Sequence, residues 1–147
     1  MREEFVSILE ALDESALSGY DFRQLAMDQL SFLDEYKWSG VYVLVGETLF
    51  LDAYNGDAPE HKEIPVGRGV CGSAVSENRN KIIEDVRTES NYLACSVLTR
   101  SEIVVLIKQN DEILGQIDID GHKVGAFTSE DEAFLSQMAQ RLADRWD

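Results

Sequence analysis

One hairpin pattern organises this sequence: Glu102-Ile-Val-Val-Leu-Ile-Lys108, then Gln109-Asn110-Asp111, then Glu112-Ile-Leu-Gly-Gln-Ile-Asp-Ile-Asp120. The first run is rich in β-branched residues, and the connecting residues are polar and turn-forming. The pattern predicts two strands paired through a short turn. In the second strand alternate side chains face opposite sides of a sheet, so Ile117 and Ile119 point one way while Asp118 and Asp120 point the other.

A similar pattern in the first half of the chain predicts a second hairpin. Trp38 to Val45 and Thr48 to Tyr54 are apolar runs flanking a turn at Gly46-Glu47. Lys81 to Ile83 is expected to form a short strand. Asn55 to Gly67 is predicted to be a polar loop, whereas Asp85 to Arg100 has no clear period and is long for a simple connection.

Helices are predicted at both ends of the chain. Apolar residues at helical spacing indicate a helix over Arg2 to Leu17, and Asp21 is expected to cap a second helix. A short helix is expected from about Cys71 to Asn78. Thr128-Ser-Glu-Asp131 has the spacing of a capping box and predicts the start of the last helix.

These elements predict an α+β fold with a central, largely antiparallel sheet and the N- and C-terminal helices packed on one face. The other face must then be covered by the long middle segments, where a small ligand could sit. A length of 147 residues with 44% apolar residues fits one domain over residues 1–147.

The composition excludes several classes of protein. A net charge of −15 disfavours nucleic acid and anionic membrane surfaces as partners, since phosphate contacts need an excess of Lys and Arg. No apolar run predicts a signal peptide or a membrane span. Two cysteines are too few for a secreted disulfide scaffold, and no Cys or His spacing predicts a metal site. We therefore expect a cytoplasmic location, where a disulfide would be transient and catalytic.

The two cysteines lie in segments that a plain core would not need. Cys71 belongs to Gly67-Arg-Gly-Val-Cys-Gly72, and a thiol in a glycine turn beside arginine can be held as thiolate. Cys95 lies in Ala94-Cys-Ser96, five residues before Arg100. The pattern favours a redox pair, and the alternative is that each cysteine is a small buried hydrophobe.

Acidic and aromatic side chains supply the other candidates. Asp118 and Asp120 on one strand face, with Glu102 opening the neighbouring strand, could bind an ammonium group and donate a proton. The alternative is a solvated sheet face. Trp38 and Tyr42 share a strand face with Gly40 between them, which leaves a gap for a pocket floor; the alternative is ordinary core packing.

With these residues in view, the chain resembles GAF domains and, within that superfamily, the free methionine-(R)-sulfoxide reductases. The resemblance spans Trp38 to Leu135. Its strongest elements are Ile64-Pro-Val-Gly-Arg-Gly-Val-Cys-Gly72, Ala94-Cys95, Ser101-Glu-Ile-Val-Val105 and Gly115-Gln-Ile-Asp-Ile-Asp120.

The resemblance implies thiol-dependent reduction of free L-methionine-(R)-S-oxide to L-methionine through a cysteine sulfenic acid and an intramolecular disulfide. Cys95 matches the attacking cysteine and Cys71 its disulfide partner, an order that differs between members. The matching substrate-binding residues are Trp38, Tyr42, Glu102, Asp118 and Asp120. No cofactor or metal is implied; a thioredoxin-like reductant and a homodimer are.

Two departures accompany the resemblance. Many members carry a third cysteine shortly before the Ile-Pro-Val-Gly segment, where this chain has His61 nearby. Ser96 follows Cys95, whereas members commonly have Asp there. The alternatives from other classes are a non-catalytic GAF small-molecule-binding or redox-sensing module, and a dimerisation scaffold with merely buried cysteines.

Overall fold

The structure is a computed structural model that describes residues 1–93 and 96–147. Its helices are α1 (Glu3–Glu14), α2 (Gly19–Leu30), α3 (Gly69–Glu77) and α4 (Ser129–Asp144), with a 3-10 turn at Val86–Thr88. Its strands are β1 (Trp38–Val45), β2 (Thr48–Asn55), β3 (Glu63–Pro65), β4 (Lys81–Ile83), β5 (Ser101–Gln109) and β6 (Glu112–Gly121). The predicted α+β class is confirmed.

The strands of the described residues form one antiparallel sheet in the order β3-β2-β1-β6-β5-β4. Both predicted hairpins are present, β1 with β2 and β5 with β6. At the second turn Asn110 and Asp111 adopt φ values of 50° and 70°, which Asn and Asp tolerate better than most residues. The order places β6 at the centre of the sheet, between β1 and β5.

The terminal helices α1, α2 and α4 pack on one side of the sheet, called here the helical face, as predicted. Phe5 of α1 stacks on Phe134 of α4 with ring centroids 4.1 Å apart. Ile117 and Ile119 of β6 point into this core. Its other large buried side chains include Leu12, Phe22, Met27, Ile103, Ile107 and Met138.

The opposite side of the sheet, called here the α3 face, is covered by α3 and by the long middle segments. Ile64, Val70 and Tyr92 pack there against strand residues such as Val104 and Leu106. The prediction that the middle segments cover this face is confirmed. Asp118 and Asp120 lie on this side, because they alternate with the two isoleucines of the helical core.

The start of α4 matches its predicted capping box. The Thr128 hydroxyl accepts a hydrogen bond from the Glu130 amide, and Asp131 Oδ2 accepts one from the Thr128 amide at 2.9 Å. The other oxygen of Asp131 accepts from the Tyr36 hydroxyl at 2.7 Å, which ties the cap to the helical core. Within residues 1–93 and 96–147, no helix has the length and apolar composition needed to cross a membrane.

Three local predictions are wrong. The helix α2 begins at Gly19, and Asp21 lies in its first turn instead of capping it. The predicted polar loop contains the edge strand β3, which escapes notice because it has three residues and ends in proline. The helix α3 begins at Gly69, two residues before Cys71, because the glycines allow the chain to enter it from a turn.

Candidate active site

The register of the central strand brings the predicted acidic and aromatic residues together. Asp120 on β6 lies opposite Trp38 on β1 and Glu102 on β5. Asp118, two residues earlier, lies opposite Gly40 and Val104. Since residues paired across strands have neighbouring side chains, three carboxyl groups and an indole converge at one end of the α3 face.

All three carboxyl groups are buried. Asp118 has no exposed surface, and Glu102 and Asp120 retain 5% and 4%. The alternative of a solvated sheet face is therefore wrong. The pattern of the strand could not decide this point, because the segments that cover the acids come from elsewhere in the chain.

Trp38 fills the space that glycine leaves in β1. A Cβ atom built on Gly40 would lie 2.3 Å from the indole ring, so the ring rests directly over Gly40. The indole thus occupies the predicted gap at Gly40. The prediction that Gly40 forms the floor of a pocket is therefore wrong. The indole N–H donates to the Asp57 carbonyl at 2.8 Å, which fixes the ring orientation.

Tyr42 lies deeper on the same face. Its side chain is fully buried, and its ring centroid is 6.5 Å from that of Trp38. The Tyr42 hydroxyl donates a hydrogen bond to the His61 carbonyl at 3.0 Å. His61 therefore contributes its backbone here, and the contact joins β1 to the loop that precedes β3.

Cys71 lies in the first turn of α3, above the acids. Gly67 and Gly69 have φ values of +92° and +68°, a backbone region that favours glycine, and they turn the chain into the helix. The Cys71 sulfur lies 3.8 Å from Glu102 Oε2. The sulfur, a Glu102 oxygen and an Asp118 oxygen all lie within 4.8 Å of one another.

Burial and mutual repulsion favour the protonated form of the two aspartates. Burial raises the pKa of Asp118 above its ordinary value, and the nearby Glu102 and Cys71 side chains offset part of the rise. Burial also raises the pKa of Asp120 well above its ordinary value, with the charge of Asp118 adding to the rise. A carboxyl group whose pKa is raised keeps its proton to higher pH and can act as a general acid.

Two cavities border the cluster. One of about 190 Å³ is lined by Trp38 and Asp120 together with Asp57 and Ser96. The other, of about 10 Å³, is lined by Cys71 and Glu102 together with Leu93. Cys95, the predicted attacking cysteine, lies outside the described residues.

Gln116 is a buried polar residue that sequence reasoning missed. Its side chain has no exposed surface, and its amide donates to the Cys71 carbonyl at 3.0 Å. The contact holds the first turn of α3 against β6. The available signal was its place two residues before Asp118, on the same face of the strand.

Asn91 also went unnoticed, because it lies in the segment without a period. Its side-chain oxygen accepts from the Gly69 amide at 3.1 Å, and its amide donates to the Gly67 carbonyl at 3.1 Å and the Ser73 hydroxyl at 2.8 Å. One side chain therefore anchors the segment that leads to residue 93 onto the glycine turn that carries Cys71.

Comparison with known proteins assigns this chain to a family. The GAF domain profile matches residues 18–146, and the chain belongs to the GAF domain family. Within it the chain belongs to the free methionine-R-sulfoxide reductases, as the following relatives show, and the resemblance found in the sequence is confirmed.

The relatives agree in sequence and in structure. The free methionine-R-sulfoxide reductase of Escherichia coli (strain K12) is 41% identical over 110 residues, or 75% of this chain and 66% of that protein, so this chain spans about two thirds of that relative's length. The type II enzyme of Thermoplasma acidophilum superposes with a TM-score of 0.83 at 36% identity, covering 95% of this chain and 94% of that one. The Neisseria meningitidis enzyme, solved in complex with its substrate, gives 0.89 at 27% identity and covers 99% and 87%.

Proposed function

We propose that this protein reduces free L-methionine-(R)-S-oxide to L-methionine on the α3 face, using the thiols of Cys95 and Cys71. One observation carries the proposal: the sulfur of Cys71 lies in a buried cluster with carboxyl groups of Glu102 and Asp118, in a chain of the free methionine-R-sulfoxide reductase family. Such a cluster combines a reducing thiol with proton donors.

The substrate enters through the larger cavity. Trp38 forms one wall, and its ring offers an apolar surface to the methyl and sulfur end of the substrate. Asp120 lies in the same wall and supplies an acceptor for the substrate ammonium. Because a peptide-bound residue lacks that ammonium group, this pairing favours the free amino acid.

In the first chemical step the Cys95 thiolate attacks the sulfoxide sulfur. The Asp118 carboxyl group, in its protonated form, donates a hydrogen bond or a proton to the sulfoxide oxygen as negative charge grows there. The oxygen ends on the Cys95 sulfur as a sulfenic acid, and methionine leaves as the thioether. The substrate sulfur gains two electrons, and the cysteine sulfur loses two.

The second step converts the sulfenic acid to a disulfide, which the reductant then opens. The Cys71 thiol condenses with the Cys95 sulfenic acid, forming a disulfide and one water molecule. A thioredoxin-like dithiol then opens the disulfide by exchange and becomes oxidised in its place. Asn91, which anchors the preceding segment on the Cys71 turn, keeps the two parts of the chain together for this step.

Three further features belong to the proposal. Residues 1–147 act as one domain, the protein works in the cytoplasm, and it forms a homodimer. The resemblance to the family supports the dimer, and two cysteines, too few for a secreted disulfide scaffold, support the location. Light scattering of the purified protein measures the mass of the assembly.

A turnover assay tests the function. Purified protein is supplied with dithiothreitol and either the R or the S epimer of free methionine sulfoxide, and methionine release is measured. We expect multiple turnovers with the R epimer, none with Cys95→Ser, and, when dithiothreitol is left out, a single turnover with Cys71→Ser that stops at the Cys95 sulfenic acid. Binding of the R epimer without methionine release by the wild type would instead favour the ligand-binding or sensing module.

A further inference from the structure

The cluster at Cys71 has the composition of a metal site as well as of a redox site. One oxygen each of Glu102 and Asp118 lies with the Cys71 sulfur inside a 4.8 Å span, and all three side chains are buried. The three residues come from β5, β6 and α3. Sequence spacing predicted no metal site, because ligands contributed by three separate elements leave no spacing motif.

An independent feature shows that the cluster has buried acceptors that its protein neighbours leave unused. Outside the cluster itself, neither carboxylate oxygen of Asp118 has a hydrogen-bond partner among the described residues, although the side chain is fully buried. The amide oxygen of Gln116, on the same strand face, is also buried without a partner there. A buried acceptor without a donor is costly, and a cation supplies what several acceptors lack.

The space beside the cluster has the size of an ion. The cavity bordered by Cys71 and Glu102 measures about 10 Å³, close to the lower limit for a single water molecule. It therefore has room for one group of about the size of a water molecule or a bare ion beside Cys71 and Glu102, two of the three residues of the cluster. Arg68 is the cationic side chain on its border, and it is exposed, so it can turn towards solvent.

We propose that the reduced protein binds one Zn²⁺ through Cys71, Glu102 and Asp118. A thiolate with two carboxylates suits zinc, whereas Mg²⁺ and Ca²⁺ prefer oxygen ligands alone. Because the three atoms lie within 4.8 Å of one another, an ion placed between them lies at most about 2.8 Å from each. The side chains then close by no more than about 0.5 to 0.8 Å to reach Zn–S and Zn–O distances of about 2.3 and 2.0 Å. Binding releases the thiol proton and any proton held by the carboxyl groups.

The bound ion would block reduction, a consequence that rests on the proposed function. Zinc on Cys71 occupies the sulfur that must condense with the Cys95 sulfenic acid, and it removes Asp118 as a proton donor. Zinc therefore acts as a reversible inhibitor that favours the thiol form of the site. Oxidation to the disulfide consumes the thiolate ligand and releases the ion.

Cobalt serves as the spectroscopic probe, in protein carrying Cys95→Ser so that Cys71 is the remaining thiol. Anaerobic titration with Co²⁺ is expected to give a thiolate-to-cobalt charge-transfer band in the near ultraviolet, saturating at one ion per chain. One equivalent of Zn²⁺ should remove the band. The band should disappear when Cys71→Ser is added to this protein.

Variants of the carboxyl ligands complete the test. Asp118→Asn and Glu102→Gln, each in the Cys95→Ser protein, are expected to bind Co²⁺ at least tenfold more weakly. The matched control Glu63→Gln, at an exposed site on β3, should bind within twofold of its parent. Circular dichroism checks that each variant is folded.

The outcomes separate the metal site from the proposed activity. A missing band, a band that survives Cys71→Ser, or unchanged affinity in both folded carboxyl variants overturns the zinc site. The titration uses protein without turnover, so it reads the same whether or not the reductase proposal holds. In wild-type protein, inhibition by Zn²⁺ that a chelator reverses links the two, and full turnover with zinc bound overturns the inhibitory role.

Discussion

The two faces of the sheet differ in the chemistry of the residues that they bury. On the helical face Phe5, Phe134 and Ile117 meet in an apolar core, and the nearby Asp131 has its carboxylate oxygens paired. On the α3 face Asp118 is equally buried and, within the described residues, has no hydrogen-bond partner outside its cluster with Glu102 and Cys71. The first face stabilises the fold, whereas the second holds groups that cost stability and that, in the proposed function, supply the reactive side chains.

A matched pair of carboxylates shows the contrast most directly. Asp52 of β2 accepts a hydrogen bond from Arg23 Nε at 2.7 Å, so its charge is compensated. Asp118 of β6 has neighbours that are themselves acidic or thiol groups. An aspartate therefore stabilises the fold at position 52 and destabilises it at position 118.

The largest effect is expected from the helical face. Phe134→Ala removes a stacked, fully buried ring and should lower the free energy of unfolding by about 3 to 5 kcal/mol. Denaturant unfolding measures the change. Specific activity per folded molecule should remain, and a selective loss of activity in folded protein would contradict the separation of the two faces. Phe50→Ala, at a half-exposed site, is the control and should change stability little.

The next effect is expected at Asp118. Asp118→Asn keeps the shape but removes an acid, so methionine release should fall about a hundredfold. The free energy of unfolding at pH 7 should rise by roughly 1 kcal/mol, because the neutral Asn side chain is buried without the cost of keeping a proton on an acid that the unfolded chain has ionised. Asp52→Asn should do the opposite, lowering stability while sparing turnover. An Asp118→Asn protein that is less stable than wild type would show that the acid is compensated after all.

A smaller effect is expected at Asn91. Asn91→Ala removes the hydrogen bonds that fasten its segment to the Cys71 turn, and disulfide formation after the first turnover should slow about tenfold. Each of the three neutral hydrogen bonds contributes about 0.5 to 1.5 kcal/mol to the free energy of unfolding. Quenched-flow trapping of free thiols measures the rate. Asn55→Ala, which removes an exposed contact to Asp28, should leave that rate unchanged.

The smallest effect concerns pH. The pKa of Asp118 and that of Asp120 are raised in the folded state, mainly by burial. Above the ordinary pKa of 3.8, unfolding therefore releases protons, and stability falls as pH rises until the folded-state values are passed. Asp118→Asn should flatten this decline. If the free energy of unfolding of the wild type instead rose relative to that of Asp118→Asn between pH 4 and pH 7, the raised pKa values would be contradicted.

The parts of the fold that local sequence determines were predictable. The β5–β6 hairpin follows from two apolar runs around polar turn residues, and the α4 start follows from Thr128 and Asp131. The strand β3 was not predictable, since three residues at a sheet edge carry no period. The start of α3 was misplaced because glycine permits a turn or a helix equally well.

The sequence indicated which residues come together on the α3 face, but not how they are arranged. Alternation in β6 indicated that Asp118 and Asp120 share a face, but their burial depends on distant segments. Rotation of the Trp38 ring over Gly40 depends on a hydrogen bond to Asp57, nineteen residues away. Asn91 has no pattern around it, so its anchoring role appears only in three dimensions.

The central claim is that the α3 face performs a two-thiol reduction. Mass spectrometry of reduced wild-type protein, after one addition of free methionine-R-sulfoxide without reductant, tests it most directly. We predict one methionine released per chain, with a Cys71–Cys95 disulfide and a chain lighter by two hydrogen atoms. An unchanged chain with both thiols still open to alkylation would contradict the account.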